Sequence, residues 1–463
     1  MATSQTPGIY IEEVSMLPAS VVSVATAIPV FIGYTQQAQL AESGDLHLIS
    51  QKLYSLLEYE QYFGLPFSEK GISVSLDASV PANMQAKATI KKPSPYAMYY
   101  ALQLFFANGG EACYIVSVGT YMVNPVIRQA DLKKGLKAIE TVHEITLVVF
   151  PDAIHVKTAA AYYSIYKDAM QLCAKGKDKF TVLDVWMSAN PAADNINVLR
   201  NYDFGATDVL RYAAVYYPML LTLQTYSYNE VNIKVKAKGD SSMNGTLAQL
   251  LTTNSTAYQL AKNAIGQLQL LMPAAPAVAG IYAQVDNTRG VWKAPVNVDI
   301  SLVARPFKSI TDTEQEGFNV DATTGKSINV IRSFMGRGNA IIWGARTLAG
   351  NDNEWRYVPV RRFFMMAEVS VKLAMAAFFF EPNDNATWVK LKLMIENYLV
   401  LLWRSGAIQG NKPQDAFFVN IGLGLTMSAQ DISEGRMIVQ IGISAIRPAE
   451  FIIMQIVQQM QPQ

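Results

Sequence analysis

The chain has 463 residues, of which 51% are hydrophobic and only 16% charged, so it can bury a large core and divide into two or three domains. Its 38 basic and 37 acidic residues nearly cancel, which argues against a protein that holds nucleic acid or anionic lipid through its net charge. Two cysteines and three scattered histidines supply neither a disulfide framework nor the usual zinc ligands, and we expect no metal and no cofactor.

The start of the chain and its uncharged stretches bear on where the protein folds. Residues 1–7 lack the basic start and apolar stretch of a secretory signal, which predicts folding in the cytoplasm. Residues 14–41 and 263–285 carry no charge, but the prolines and polar side chains in each exclude a spanning helix. High apolar content without a membrane span indicates large contacts between subunits, so we expect an assembly with no direct membrane insertion.

Short strand-forming stretches begin the chain. Residues 8–14, Gly-Ile-Tyr-Ile-Glu-Glu-Val, predict an isolated strand beside the terminus. Residues 21–34 predict a second strand, and residues 54–63 predict an aromatic helix. Between 64 and 95, short alternating stretches bounded by Gly, Pro and Lys predict an inserted hairpin.

Four apolar stretches then alternate with helical segments, which predicts a βαβ series and a mainly parallel sheet covered on both faces. The strands are expected at 112–118, 145–150, 180–186 and 212–217. Apolar spacing predicts a helix over 156–175. A further long helix is expected over 246–272, ending at Pro273.

The last third predicts two long helices followed by strands. The helices are expected at 360–379 and 386–403, separated by Glu-Pro-Asn, and the strands at 416–421, 436–446 and 448–457. The final strand is apolar on both faces, since Phe451 and Ile453 point one way and Ile452 and Met454 the other. Such a strand near a chain end has to pair with another strand or aggregate.

One stretch imitates a phosphate-binding loop. Thr-Thr-Gly-Lys-Ser at 323–327 resembles the end of such a loop, but Val320 stands where its first glycine is required. We interpret the stretch as a surface loop.

Three polar residues at predicted strand ends support an alternative function of another class. Asp152, His155 and Asp184 lie where doubly wound folds place ligands, so a hydrolase on such a fold could use them. Acids at strand ends also cap helices, and no nucleophile elbow or glycine fingerprint accompanies these three. We prefer the capping interpretation.

The second helix of the last third carries cations. Lys390, Lys392 and Arg404 give it a basic side opposite an apolar stripe. A charged helix face is usually only solvated, but in an assembly it can meet an acidic partner.

The whole chain resembles the contractile tail sheath family of bacteriophages and of phage-derived injection systems. Near the N-terminus the resemblance lies in Pro-Gly-Ile-Tyr-Ile-Glu-Glu-Val at 7–14 and in the strand that contains Phe-Ile-Gly at 31–33. In the last third it lies in an ordered series of motifs: Gly-Ile-Tyr-Ala at 280–283, Arg-Gly-Val-Trp-Lys-Ala-Pro at 289–295, Asn-Val-Ile-Arg at 329–332, Trp-Gly-Ala-Arg-Thr-Leu at 343–348, Trp-Arg-Tyr-Val-Pro-Val-Arg-Arg at 355–362, Phe-Glu-Pro-Asn at 380–383 and Arg-Pro-Ala-Glu-Phe at 447–451. The middle of the chain agrees less closely, and Tyr-Tyr-Pro at 216–218 is its clearest match.

The resemblance implies a structural protein and no enzyme. It implies a subunit that stacks in hexameric rings around an inner tube and contracts to drive that tube through a target envelope. The implied partners are further copies of the chain, the tube protein, and baseplate and terminator or cap proteins, with no nucleic acid among them. The particle is expected to assemble in the bacterial cytoplasm, as a virion tail or as a toxin-injecting particle, and the sequence leaves these two open.

The expected fold is an α/β and α+β multidomain fold in four segments. These are an N-terminal arm at 1–20, an outer and mainly parallel α/β domain at 21–285 with the hairpin at 64–95, a C-terminal α+β sheath core domain at 286–446, and a C-terminal arm strand at 447–463. The core domain is expected to face the tube, with Lys390, Lys392 and Arg404 as the tube-facing cations.

Both arms are expected to exchange strands with neighbouring subunits, because pairing across chains satisfies lone terminal strands. The residues assigned to this exchange are Ile9, Tyr10, Ile11, Val14, Phe451, Ile452, Ile453, Met454 and Ile456.

Overall fold

The computed structural model of the protein describes residues 20–80, 83–190 and 192–450. These residues fold into two compact units. The larger unit contains residues 25–365 and 447–450, and the smaller unit contains residues 20–24 and 366–446.

The described strands and helices follow each other in α/β fashion. The strands are β1 (Pro29–Thr35), β2 (Ser50–Leu53), β3 (Ile72–Asp77), β4 (Gln85–Ile90), β5 (Cys113–Thr120), β6 (Leu147–Val149), β7 (Phe180–Asp184), β8 (Ala213–Tyr217), β9 (Leu220–Thr222), β10 (Lys234–Lys238), β11 (Gly245–Thr246), β12 (Leu270–Met272), β13 (Val303–Pro306), β14 (Asn329–Phe334), β15 (Gly338–Ile342), β16 (Phe417–Asn420) and β17 (Gln440–Ile443). The helices are α1 (Leu56–Phe63), α2 (Met98–Ala107), α3 (Gln129–Lys137), α4 (Ala159–Gly176), α5 (Asn195–Asn201), α6 (Leu247–Thr253), α7 (Ser255–Gly266), α8 (Ala275–Arg289), α9 (Asp312–Asn319), α10 (Val358–Met375), α11 (Asn385–Arg404), α12 (Pro413–Ala416) and α13 (Ala429–Ser433).

Eight strands form the central sheet of the larger unit, in the order β15-β14-β8-β7-β6-β1-β5-β2. The six inner strands are parallel, and the edge strands β2 and β15 are antiparallel to their neighbours. The inner strands are short, apolar and buried, and β1 is buried along its whole length. The four strands predicted for the βαβ series correspond to β5, β6, β7 and β8.

Helices cover both faces of this sheet, as the alternation along β1 demonstrates. The ring of Phe31 meets that of Phe105 in α2, with the centroids 5.3 Å apart, whereas Ile32 lies against Gly135 in α3. Neighbouring residues of a strand point to opposite faces, so α2 and α3 lie on opposite sides. Helix α8 packs against α2, and α4 packs against α3.

The hairpin predicted at 64–95 is confirmed. Strands β3 and β4 pair antiparallel, from Ile72 opposite Ile90 to Asp77 opposite Gln85. Strand β10 adds parallel to β3, and β11 adds antiparallel to β10, which makes a four-stranded sheet with α7 packed against it. A third sheet of the larger unit is antiparallel, with the order β12-β9-β13.

The helix predicted over 246–272 is wrong in its extent. Asn254 interrupts it, because its side-chain Oδ1 accepts a hydrogen bond from the Ala257 amide at 2.9 Å and so caps the start of α7. After Gly266 the chain forms β12, which pairs with β9. The apolar spacing runs without a break through residues 246–272, so the sequence did not reveal the Asn254 cap or strand β12.

The smaller unit contains α11, α12, α13 and the antiparallel pair β16–β17, in which Phe417 lies opposite Ile443. Helix α11 is capped by Asp384, which accepts from the Thr387 amide at 3.0 Å, and it packs against β16. The strand predicted at 436–446 is shorter than expected, since it pairs with β16 over Gln440–Ile443, and Ala445 adds an isolated antiparallel bridge to Ile408.

The predicted domain boundary at 285/286 is wrong. It falls inside α8, and the strands β14 and β15 that follow it extend the central sheet beside β8. Residues 286–365 therefore belong to the α/β unit. The sequence order of the motifs suggested a separate domain, but pairing between distant strands joins this segment to the sheet.

Candidate assembly surface

The two acids of the hydrolase hypothesis close the N-termini of two helices. Asp152 follows β6, and its carboxylate accepts hydrogen bonds from the amides of Tyr34 and Ala97, each at 2.6 Å. Asp184 ends β7 and accepts from the amide of Ala274 at 2.6 Å. Ala97 and Ala274 are the N-cap residues of α2 and α8 and provide no side-chain acceptor themselves.

Burial governs the chemistry of these carboxyls. Both are closed off from solvent, and burial raises the pKa of each to about 7, although the amide donors oppose the shift. The third residue, His155, is exposed at the end of a short 3₁₀ helix, Ala153–His155. The two carboxylates are bonded to backbone amides and turned away from solvent, so this geometry supports caps and offers no support for a hydrolytic site.

In the stretch that resembles a phosphate-binding loop, the lysine is hydrogen-bonded to backbone carbonyls of the same chain. The Nζ atom of Lys326 donates to the carbonyl oxygens of Arg200 at 2.5 Å and Tyr202 at 2.7 Å, and it lies 5.4 Å from the centre of the Phe204 ring. Burial lowers the pKa of Lys326. The lysine thus ties the loop to the C-terminal end of α5 and to the residue that follows it.

Arg362 builds the first of two buried networks in the larger unit. Its guanidinium donates to both carboxylate oxygens of Asp286, at 3.0 and 2.5 Å, and to the carbonyl oxygen of Thr26 at 2.8 Å. The guanidinium also lies 4.5 Å from the ring centre of Tyr282, whose hydroxyl is 2.8 Å from that of Tyr216. Three of the motifs quoted for the family therefore meet in one buried cluster.

Arg346 builds the second network. Its backbone amide donates to Asn329 Oδ1 at 2.7 Å, and the Asn329 amide group donates back to the Arg346 carbonyl at 2.8 Å. The guanidinium forms a two-pronged ion pair with Glu450, with Nε to Oε1 at 2.8 Å and Nη2 to Oε2 at 2.5 Å. Sequence reasoning missed both networks; the available signal was a charged residue inside an otherwise apolar motif.

The three cations predicted to face a tube do not share one side of α11. Lys390 and Arg404 are exposed and 14 residues apart, close to four helical turns, so they lie on one face. Lys392 is two residues from Lys390, about 200° around the helix, and pairs with Glu396 at 3.7 Å. The predicted basic side is corrected to a face with Lys390 and Arg404, because the 3.6-residue period separates Lys392 from them.

The same unit exposes large apolar side chains. Leu401 and Leu393 lie on the face of α11 between Lys390 and Arg404, and Phe379 and Phe380 follow α10. Phe379 is 72% exposed, and Phe380 is fully exposed with a left-handed φ of 68°. Apolar surface of this kind is typical of protein contacts.

The residues assigned to strand exchange lie outside the described part of the chain. This applies to Ile9, Tyr10, Ile11 and Val14 at the start, and to Phe451, Ile452, Ile453, Met454 and Ile456 at the end. In the part of the smaller unit that is described, β16 and β17 form a sheet of only two strands.

The described residues contain neither a metal-binding cluster nor a membrane-spanning helix. Within residues 20–80, 83–190 and 192–450, no cluster of three or more His, Cys, Asp or Glu side chains is arranged to hold a metal ion. None of the helices in these ranges combines the length and apolarity of a membrane span.

Comparison with known proteins connects these motifs to one family. The model of the phage tail sheath C-terminal domain matches residues 350–459. None of the curated proteins matches the chain. Among solved structures, the PVC sheath complex of an extracellular contractile injection system, in its contracted state, is 30% identical over 99% of both chains, with a TM-score of 0.65. The chain belongs to the contractile tail sheath family.

Two further solved structures are similar to this chain along their full length. The contracted helical sheath of the anti-feeding prophage is 29% identical, with a TM-score of 0.66 over 99% of this chain and 100% of that chain. A chain of the contracted anti-feeding prophage baseplate is 26% identical, with a TM-score of 0.71 over 98% and 99% of the two chains. The sheath family thus accounts for both units, although the family model covers only the end of the chain.

Proposed function

We propose that this chain is the repeating subunit of a sheath that polymerises as stacked hexameric rings around an inner tube and contracts to drive the tube through a target envelope. The observation that carries the proposal is the full-length likeness to the contracted PVC sheath. The proposed partners are further copies of the chain, the tube protein, and baseplate and terminator or cap proteins. Assembly takes place in the bacterial cytoplasm and yields a virion tail or an injection particle.

Exposed apolar side chains of the smaller unit support self-association. Fully burying an exposed phenylalanine side chain is worth roughly 1.5–3 kcal/mol. Phe379 and Phe380 offer two such side chains on every subunit. A polymer that buries both side chains between subunits gains this favourable free energy once for every subunit added.

Strand exchange is the proposed link between subunits. A two-stranded sheet is marginal in water, and an exposed strand edge accepts further strands. The pair β16–β17 supplies such edges in the described part of the smaller unit. Residues 8–14 and 451–457 of neighbouring subunits are the strands proposed to extend it.

Contraction is proposed to draw on two alternative packings of the same subunits, with the trigger supplied by the baseplate. The loop at 323–327 supports this source of energy, because its lysine is bonded to backbone carbonyls and the arrangement is not that of a nucleotide site. The core surface proposed to face the tube contains Lys390 and Arg404.

Sedimentation followed by electron microscopy tests the proposal. The purified chain, alone and with its tube protein, is expected to form long cylindrical polymers that sediment far faster than a closed oligomer. A single small oligomer under both conditions would contradict the proposed sheath function.

A further inference from the structure

The two ends of the described chain are attached to different units. Residues 20–24 belong to the smaller unit, where Ser23 Oγ lies 3.1 Å from Tyr398 Oη and the Val24 amide donates to Ser370 Oγ at 3.0 Å. Residues 447–450 belong to the larger unit, where Glu450 forms an ion pair with Arg346 and also interacts with the side chain of Tyr357. The proposed arms thus start from separate bodies of one subunit.

Glu450 forms a bidentate ion pair with a buried arginine, which restrains the position of the glutamate. Arg346 is only 4% exposed, and both prongs of its guanidinium are bonded to the Glu450 carboxylate. Nη1 of the guanidinium also donates to the carbonyl oxygen of Asn319 at 3.2 Å, so the arginine is held before the glutamate arrives. A bidentate pair with a preorganised arginine fixes the direction of the partner as well as its distance.

The Arg346–Glu450 pair lies close to the point where the chain passes from the smaller to the larger unit. The chain crosses from the smaller to the larger unit between residues 446 and 447, and Glu450 comes four residues after Ile446. The C-terminal segment proposed for strand exchange begins at Phe451. Glu450 therefore lies at the start of the C-terminal arm, after the unit crossing and directly before the residues assigned to strand exchange.

We propose that the Arg346–Glu450 ion pair anchors the root of the C-terminal arm to the larger unit of its own subunit. Tension on the arm from a neighbouring copy then passes into the α/β body through Arg346. This role rests on the proposed sheath function, but the anchor itself exists in a single subunit.

The test uses Glu450→Ala in the full chain, kept at a concentration below polymerisation. Hydrogen exchange of the Arg447, Ala449 and Glu450 amides is expected to speed up by about tenfold or more, while exchange in β14 stays slow and the larger unit stays folded, with a thermal midpoint lowered because buried Arg346 loses its partner. Glu434→Ala is the matched control, because Glu434 pairs with Arg436 at 2.7 Å in an exposed position and its loss leaves exchange at 447–450 unchanged.

A second pair of variants tests the charge interaction itself. Glu450→Arg should release the same amides, and the double variant with Arg346→Glu should slow their exchange again, at least in part. Unchanged exchange in Glu450→Ala would overturn the anchor, as would unfolding of the whole larger unit, since the glutamate would then be part of the core. The exchange measurements are made on single subunits and test only the anchor. Failure of the chain to polymerise would contradict the sheath function and would leave the anchor unaffected.

Discussion

At the scale of single residues, an aspartate at the end of a parallel strand caps the N-terminus of a helix that lies far away in the sequence. Asp152 and Asp184 follow adjacent strands, β6 and β7, and each accepts amides from a helix whose own N-cap is alanine. The sequence predicted the capping role of these acids. It could not identify the helices that they cap, because α2 and α8 lie 55 and 90 residues away.

Gly33 in Phe-Ile-Gly shows why a small residue is required beside one of these caps. A Cβ atom at this position would lie 2.5 Å from Asp152 Oδ2 and 2.9 Å from Met98 Cε. We expect Gly33→Ala to lower the free energy of unfolding of the larger unit by about 1–3 kcal/mol through overpacking. Urea unfolding measures this. Gly266→Ala is the control, since nothing lies within 4 Å of its added methyl; an equal effect at both positions would contradict the packing argument.

The raised pKa of Asp184 predicts a pH dependence. Burial moves this pKa from 3.8 to about 7, so the folded state binds the proton more tightly than the unfolded chain. The stability linked to this proton is complete below about pH 4 and is lost as the pH rises through about 7. Between pH 5 and 8, the thermal midpoint of the wild type should therefore fall relative to that of Asp184→Asn.

A second aspartate is the control for this measurement. The amides of Glu42, Ala41 and Leu40 lower the pKa of exposed Asp45, so this residue does not titrate between pH 5 and 8. Asp45→Asn should give a curve parallel to that of the wild type. Parallel curves for Asp184→Asn as well would show that its carboxyl is charged throughout this range.

At the scale of elements, the predicted N-terminal strand gives the most direct test of strand exchange between subunits. Residues 1–14 are too short to form a core, so their apolar side chains, Ile9, Ile11 and Val14, predict docking on another chain. Deleting residues 1–14 should leave a soluble subunit with a nearly unchanged thermal midpoint but abolish long sheaths in electron micrographs.

A point variant refines the same prediction. Ile11→Pro should also abolish long sheaths, because proline removes a ladder donor, whereas Ile11→Val should not. Sheaths of normal length after the deletion would disprove N-terminal strand exchange. An unfolded truncated protein would instead assign this strand to the subunit's own core.

Helix α11 offers a test of the proposed tube contact. Lys390 and Arg404 share an exposed face, whereas Lys392 lies elsewhere on the helix beside Glu396. Neutralising Lys390 and Arg404 to Gln should reduce decoration of tubes, more strongly at low than at high salt, because an exposed charge contact is screened by ions. Lys392→Gln should decorate tubes as the wild type does. Equal decoration by both variants, measured by co-sedimentation, would reject this face as the tube contact.

At the scale of the whole molecule, the sequence predicted the α/β character, the hairpin insertion, the strands β5 to β8 and the two long helices of the last third. These features have local signals, namely apolar period and turn residues. The unit boundary was missed because β14 joins the sheet beside β8, more than a hundred residues earlier in the chain. The clusters around Arg346 and Arg362 were missed for the same reason, since each joins side chains from separate parts of the chain.

In the proposed function, this chain builds a sheath whose subunits are joined by their terminal strands. Electron cryo-microscopy of the assembled polymer, with a helical reconstruction that resolves the backbone, tests it most directly. We expect six subunits per ring, with residues 8–14 of one copy hydrogen-bonded into the sheet that contains β16 and β17 of a neighbouring copy. A polymer without six-fold rings, or one in which residues 8–14 pair only within their own subunit, would contradict it.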